Sequence, residues 1–266
     1  MKKKTWELSA YGPDEMIKPN ELVQIKGSGP LTLQDRRVFN ILLNNAWGIS
    51  IINPGEVFTI DTGQLKDPGQ KNQRLKRSLR RLMTTVIVSV KDNGDDVETQ
   101  LLGSRRITAS GTMTYSFPNE LAEVLKDSSV FAKLDLEVMR SFSSKYAFAL
   151  YEAIARRINL KHKFSEELDL EDMRELLGVE AGKLAAYRNL RIKAIEPAVA
   201  EVNEITPYGI TITPKNKGRK VIGFNMHWYV KDEQGLRKSY KELQSAKVGR
   251  TARSTGNNDN VIDTEE

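Results

Sequence analysis

Cysteine is absent from the chain, and with it go disulfides, thiol nucleophiles and zinc sites built on cysteine. Histidine is nearly absent too. His162 and His227 stand far apart in different predicted elements, which argues against the paired-histidine metal site of a rolling-circle nicking enzyme. No GxxxxGK[ST] phosphate loop occurs: Gly27 and Gly29 lie in GSGP with no Lys-Ser or Lys-Thr after them, so nucleotide hydrolysis has no support. Long apolar runs are missing as well. The strongest, such as Val86 to Val90, are strand-sized, too short to cross a bilayer and unlike a basic amphipathic surface helix. Three lysines follow Met1, but TWELSAYGPDE brings neither an apolar stretch nor a cleavage site. Asp95, Asp96 and Glu98 could be imagined around two metal ions, yet they fall in a polar turn where acidic residues are ordinary. We therefore expect a cytoplasmic protein with no catalytic residue, no metal, no cofactor and no membrane partner.

Negative charge is also missing from one particular stretch, since no Asp or Glu lies between Asp67 and Asp92. Inside that gap residues 70–82 read QKNQRLKRSLRRL. On a helix, Leu75, Leu79 and Leu82 form one apolar stripe. Lys76, Arg77, Arg80 and Arg81 point mostly away from it, with Arg74 and Lys71 one turn earlier, so like charges crowd together and repel. Such a face calls for a polyanion opposite. The whole chain, 266 residues with a formal charge of +6 and a pI near 9.3, is long enough for two domains and favours nucleic acid as the anionic partner.

The chain repeats one order of elements. Leu31 to Trp47 has the periodicity of a helix; a short strand at Val57 to Ile60 follows, and Asp61 can cap a brief helix that ends before Asp67-Pro68-Gly69. The basic helix comes next. After it TVIVSV, the turn KDNGDD and two further β-rich stretches ending in GTMTYSF predict one small antiparallel sheet. From Ser143 the pattern returns: SSKYAFALYEAIARRINL is helical, HKFSEEL a short strand, Asp169 a cap for DLEDMRELLGV, and Gly178 a stop. A long helix from about Leu184 to Asn203 and a hairpin, ITPYGITIT to VIGFNMHWYV, complete it. Asp61 and Asp169 are about one domain length apart, and residues 118–143 carry the connection. Helix, strand, short helix, long helix and hairpin make a winged helix, in which the second helix can enter the major groove. The predicted fold is α+β, two tandem winged-helix domains each with a small antiparallel wing.

In the second long helix Tyr187, Leu190, Ala194, Ala198 and Val202 share a core face, while Ala185, Arg188, Asn189 and Lys193 lie opposite. Arginine can bond guanine bidentately and asparagine adenine, so Arg188 and Asn189 are the candidates for base readout. Pro197 removes a backbone donor and predicts a kink. Lys71, Arg74, Arg77, Arg80 and Arg81 offer charge suited to phosphates, which fix register and affinity rather than sequence. Arg105 and Arg106 add charge near the first hairpin. Lys215, Lys217, Arg219 and Lys220 belong to a wing tip beside the backbone or minor groove.

SSKYAFALYEAIARR, then YRNLRIKAIEPAVAEVNEIT, then KGRKVIGFNM resemble, in order and spacing, the replication initiators of iteron-type plasmids. The resemblance runs from about Leu31 to Val230. It implies a protein that binds repeated double-stranded DNA sites at an origin, helps open the duplex, and brings in a host initiator and replicative helicase. It also implies a homodimer in exchange with monomer, the dimer repressing its own promoter through contacts of the first domain. A winged-helix transcriptional repressor without a replication role would account for the same domains and charge. The expected division is an N-terminal extension at 1–30, a first domain at 31–136 for phosphate contacts and dimerisation, a second at 137–232 for sequence reading, and a polar, disordered tail at 233–266.

Overall fold

Thr32 begins the first long helix because its hydroxyl accepts from the Asp35 amide while the Asp35 carboxylate accepts from the Thr32 amide, a complete capping box. The computed structural model describes residues 5, 8, 14–23, 25–67, 69–90, 94–158 and 163–245. In chain order the elements are β1 (Glu15–Pro19), α1 (Asn20–Val23), β2 (Ile25–Lys26), α2 (Leu33–Asn45), a 3₁₀ turn (Ile49–Ile52), β3 (Phe58–Asp61), a second 3₁₀ turn (Thr62–Leu65) and α3 (Asn72–Thr84). Then come β4 (Val86–Val90), β5 (Asp96–Gln100), β6 (Ser104–Ile107), β7 (Thr112–Ser116), α4 (Asn119–Asp127), β8 (Phe131–Asp135) and α5 (Leu136–Ser141). The second half holds α6 (Lys145–Arg157), β9 (Ser165–Asp169), α7 (Leu170–Leu177), α8 (Tyr187–Leu190) running through a π turn (Arg191–Ile195) into α9 (Glu196–Ile205), β10 (Tyr208–Lys217), β11 (Lys220–Val230) and α10 (Glu233–Gln244).

The predicted repeat is present. In the first half β3 pairs with β7 and β7 with β6; in the second β9 pairs with β11 and β11 with β10. All pairings are antiparallel, and both sheets place the last strand of the unit in the middle. The first wing sheet packs on α2 through β3, and the second on α7 and α9 through β9, β11 and β10. Asp61 and Asp169 cap as expected: Asp61 accepts from Gly63, and Asp169 from Glu171 and Asp172.

Three expectations are corrected. The strands after α3 do not form one sheet, because β4 pairs with β5 on one side and β2 on the other, and neither joins β6 and β7. They are an insertion between the long helix and the wing, set off by the buried pair Leu101 and Leu102. Residues 15–26, expected to lie outside both domains, are woven in: β1 pairs along its length with β8, and β2 extends the inserted sheet. Part of the expected disordered tail is helical. Asp232 caps α10 through the Gly235 amide, and Lys231 donates to the carbonyls of Asn203 and Thr206 and to Ser239 Oγ, joining the end of α9 to α10.

One hydrophobic core runs through both halves, from Leu42, Leu79 and Tyr115 to Phe148, Ala198 and Trp228. A polar seam crosses it. Lys18 Nζ and Asn40 Nδ2 both donate to Glu152 Oε1, each at 2.7 Å, and Lys18 and Glu152 are almost completely buried. Burial holds the Lys18 ammonium below its ordinary pKa, and the Glu152 charge opposes that. Arg37 donates to the carbonyls of Met139, Arg140 and Phe142, and Lys145 Nζ to the carbonyl of Gly29. Gly178 ends α7 in the left-handed conformation at φ 63°. A Cβ there would meet the Arg36 guanidinium, so glycine serves both the turn and the approach of α2.

Candidate nucleic-acid interface

Leu75, Leu79 and Leu82 are buried, as is Ser78 between them. Lys71, Arg74, Lys76, Arg77 and Arg80 are exposed, and no carboxylate forms an ion pair with any of them among the described residues. Arg81 differs. Its Nε lies 2.6 Å from Asp35 Oδ2 and its Nη2 2.9 Å from Asp35 Oδ1, a bidentate clasp onto a carboxylate with no exposed side-chain surface. These hydrogen bonds raise the pKa of the guanidinium above its ordinary value. Arg81 therefore fastens α3 to the capping box of α2, which corrects the expectation that it points outward with its neighbours.

In the second half Leu190, Ala194, Ala198 and Val202 are buried and Tyr187 is half-buried against Phe224, with ring centroids 6.2 Å apart. Arg188, Asn189 and Lys193 are exposed on the other side with no ion pair among the described residues. The helix begins at Tyr187 rather than Leu184, because Leu184 takes φ 50°, a left-handed conformation costly for a branched residue. Arg174 stabilises that entry: Nη1 donates to the Lys183 carbonyl at 3.0 Å, and Nη2 to those of Leu184 and Ala185 at 2.6 and 3.0 Å. The kink predicted at Pro197 takes the form of a π turn just before it. Proline has no amide proton for the i−4 carbonyl, and the helix widens so that the Glu196 amide bonds to the Arg191 carbonyl five residues back.

The second wing is a long hairpin with Gly218 at φ 61° in the first central position of its two-residue loop, where glycine is favoured. Lys217 and Lys220 are direct cross-strand partners, and like charges so placed repel. Lys215, Lys217, Arg219 and Lys220 are all exposed; Lys215 also forms an exposed pair with Glu167 at 2.5 Å. The first wing is shorter, and its turn is closed by hydroxyls, Thr108 to Ser110 at 2.8 Å. Arg105 and Arg106 alternate across β6, so they do not act as a pair: Arg106 is exposed, whereas Arg105 is half-buried on the side facing Tyr115.

Arg174, Lys183 and Ile192 were not singled out in the sequence. Lys183 is exposed just ahead of the reading helix. Ile192 was detectable, being two positions from both Leu190 and Ala194 and hence on the wrong side for the core. Among the described residues no group of three or more His, Asp or Glu side chains could hold a metal ion, and no helix is long and apolar enough to cross a membrane. His227 lies exposed on β11; His162 is outside the described residues.

A family model for the WH1 domain of initiator replication proteins matches residues 15–155, and one for the WH2 domain of the initiator Rep protein matches residues 169–228. Among solved structures, the Pi initiator protein in complex with iteron DNA aligns over 84% of this chain and 100% of its own, at 19% identity and a TM-score of 0.60. Domains 2 and 3 of RctB align over 84% of this chain and 89% of theirs, at 10% identity and a TM-score of 0.40. No curated protein matches the sequence. With the WH1 model covering more than half of the residues and the WH2 model following it in order, the chain belongs to the initiator replication protein family, built from two winged-helix domains.

Proposed function

We propose that the protein starts plasmid replication by binding directly repeated sites on duplex DNA, and that it acts by binding and deformation, with no covalent chemistry. The observation that carries this reading is the outward face of the second long helix. Arg188, Asn189 and Lys193 stand exposed there beside a long wing whose basic residues repel one another in the absence of an anion. The Pi initiator protein, whose solved structure holds iteron DNA, supports the same partner. In this reading α3 grips phosphates through Lys71, Arg74, Arg77 and Arg80, and Arg106 adds to that grip. Arg188 and Asn189 read bases, while Lys193, Lys215, Lys217, Arg219 and Lys220 hold the backbone around them. The first domain, 31–136, also supplies the homodimer contacts of a form that represses its own promoter. The monomer opens the origin and brings in the host initiator and replicative helicase in the cytoplasm.

Footprinting the intact protein on the DNA flanking its own gene tests this. Protection of several direct repeats beside an AT-rich segment is expected, each footprint covering two successive major grooves about one helical turn apart. Protection of a lone inverted repeat in the promoter, with no repeats bound, would make the protein a repressor instead.

A further inference from the structure

Ile192 is the one large apolar side chain on the helix from Tyr187 to Ile205 that is both fully outward and exposed, at 44%. Leu190 and Ala194, two residues to either side, have no exposed surface, so Ile192 projects from the opposite side of the helix. It lies one turn beyond Arg188 and beside Lys193, on the same face as Asn189. A single exposed isoleucine elsewhere on a surface needs no explanation, but this one occupies the centre of a face otherwise made of hydrogen-bond donors. The usable part of that face also ends just after it, since Glu196 and Pro197 follow and Glu196 is paired with Arg191 at 3.3 Å. The π turn adds to the case. Across it Ala194 and Ile195 both stay buried while Ile192 stays exposed.

We infer that Ile192 is a specificity-determining residue that packs on the C5-methyl group of a thymine in the major groove. This rests on the DNA-binding role proposed above. A branched aliphatic side chain has nothing to offer a phosphate, and in the major groove the one apolar feature that distinguishes base pairs is the thymine methyl. At about 1.5 Å rise per residue, Ile192 is about 5 Å along the helix from Arg188 and Asn189. The thymine is therefore within about two base pairs of those they read.

The test is selection of bound duplexes from a random library by the intact wild-type chain and by Ile192→Ala, followed by binding measurements on the wild-type winner. Ile192→Ala should keep the bases specified by Arg188 and Asn189 and lose the preference for thymine at a neighbouring position. Replacing that thymine by uracil removes only the methyl group, and should weaken wild-type binding roughly fourfold, the worth of one buried methyl-sized group. The same replacement should leave Ile192→Ala unchanged, while Ile192→Val should keep part of the discrimination. Equal loss in wild type and Ile192→Ala, or no loss in either, would overturn the assignment of Ile192 alone and leave Arg188 and Asn189 standing. Failure of the wild type to enrich any sequence would instead remove the DNA-reading role and this inference with it. Because Ile192 is exposed, the alanine variant should unfold at the wild-type midpoint, and that measurement accompanies the binding assay.

Discussion

The two winged helices share a strand order and differ in what they present. The first has a long helix of exposed arginines and lysines, an arginine clasp to the preceding helix, and a short wing closed by hydroxyls. The second has a helix that mixes Arg, Asn and Ile on one face, a π turn within it, and a wing of ten- and eleven-residue strands with a basic tip. Point charge without a reading surface suits phosphates, while directional donors beside an apolar group suit base edges. One topology thus carries two kinds of exposed surface, and the division of labour proposed above rests on that difference.

The largest expected effect comes from Arg81, whose neighbours share its charge and not its contacts. Arg81→Ala leaves the Asp35 carboxylate buried without its main partner and should cost about 3 kcal/mol of stability, read from the urea midpoint at constant slope. Arg80→Ala, one residue earlier, should stay within about 0.5 kcal/mol of wild type. Similar stabilities for the two variants would remove the distinction between clasp and grip. Next in size is the combined replacement of Arg74, Arg77 and Arg80 by Ala. It should weaken binding to all duplexes alike, by about two orders of magnitude at physiological salt, and lower the salt slope by about one unit per lost contact. A selective loss on the cognate repeat would move reading into the first domain.

Arg188→Ala and Asn189→Ala should each cost about 1–3 kcal/mol on the cognate repeat and much less on unrelated DNA. Competition titrations with the two duplexes measure the ratio, and equal losses on both would make these residues phosphate contacts. The smallest effect concerns α10, which only the second unit carries. Burial first, and then the Lys238 charge, lower the pKa of Lys231 from 10.5 to about 8, with Glu204 opposing. The unfolded chain keeps that proton to higher pH, so folded stability gained from this group rises as pH climbs from about 8 to about 10.5 and is flat below. Wild type minus Lys231→Gln in thermal midpoint against pH should follow that rise. A flat difference would mean that the three acceptors around Lys231 hold the ammonium as well as water does.

The repeat was legible because its signals are local. Asp61 and Asp169 cap through bonds two or three residues away, Gly178 stops its helix by its own conformation, and the Leu75, Leu79 and Leu82 stripe follows from helical periodicity. Pro197 forecast a disturbance correctly, but whether a helix answers a missing donor by bending or by widening depends on the core beneath it. The features that escaped depend on distant partners. Arg81 turns inward because of Asp35 in another helix, β4 and β5 leave the wing sheet because β2 is waiting far upstream, and α10 buries little beyond Ser239 and is fixed by Lys231. Ile192 is an intermediate case: its phase against the core stripe is local, but its exposure depends on which parts of that face the fold leaves uncovered.

The buried pair of Lys18 and Glu152 has a consequence for spacing. Breaking such a pair leaves an uncompensated charge in the interior, so α6 cannot part from β1 and α2 at small cost, and α6 in turn packs on α7 and α9 of the second winged helix. If both winged helices grip one duplex as proposed, the DNA between their sites must match that packing in helical phase. Five extra base pairs between the segments covered by the two domains would turn one grip to the far side of the duplex, whereas about ten would restore its facing. In that proposed arrangement the repeat length at the origin is a gap matched to the protein, as an object is to the jaws of a calliper.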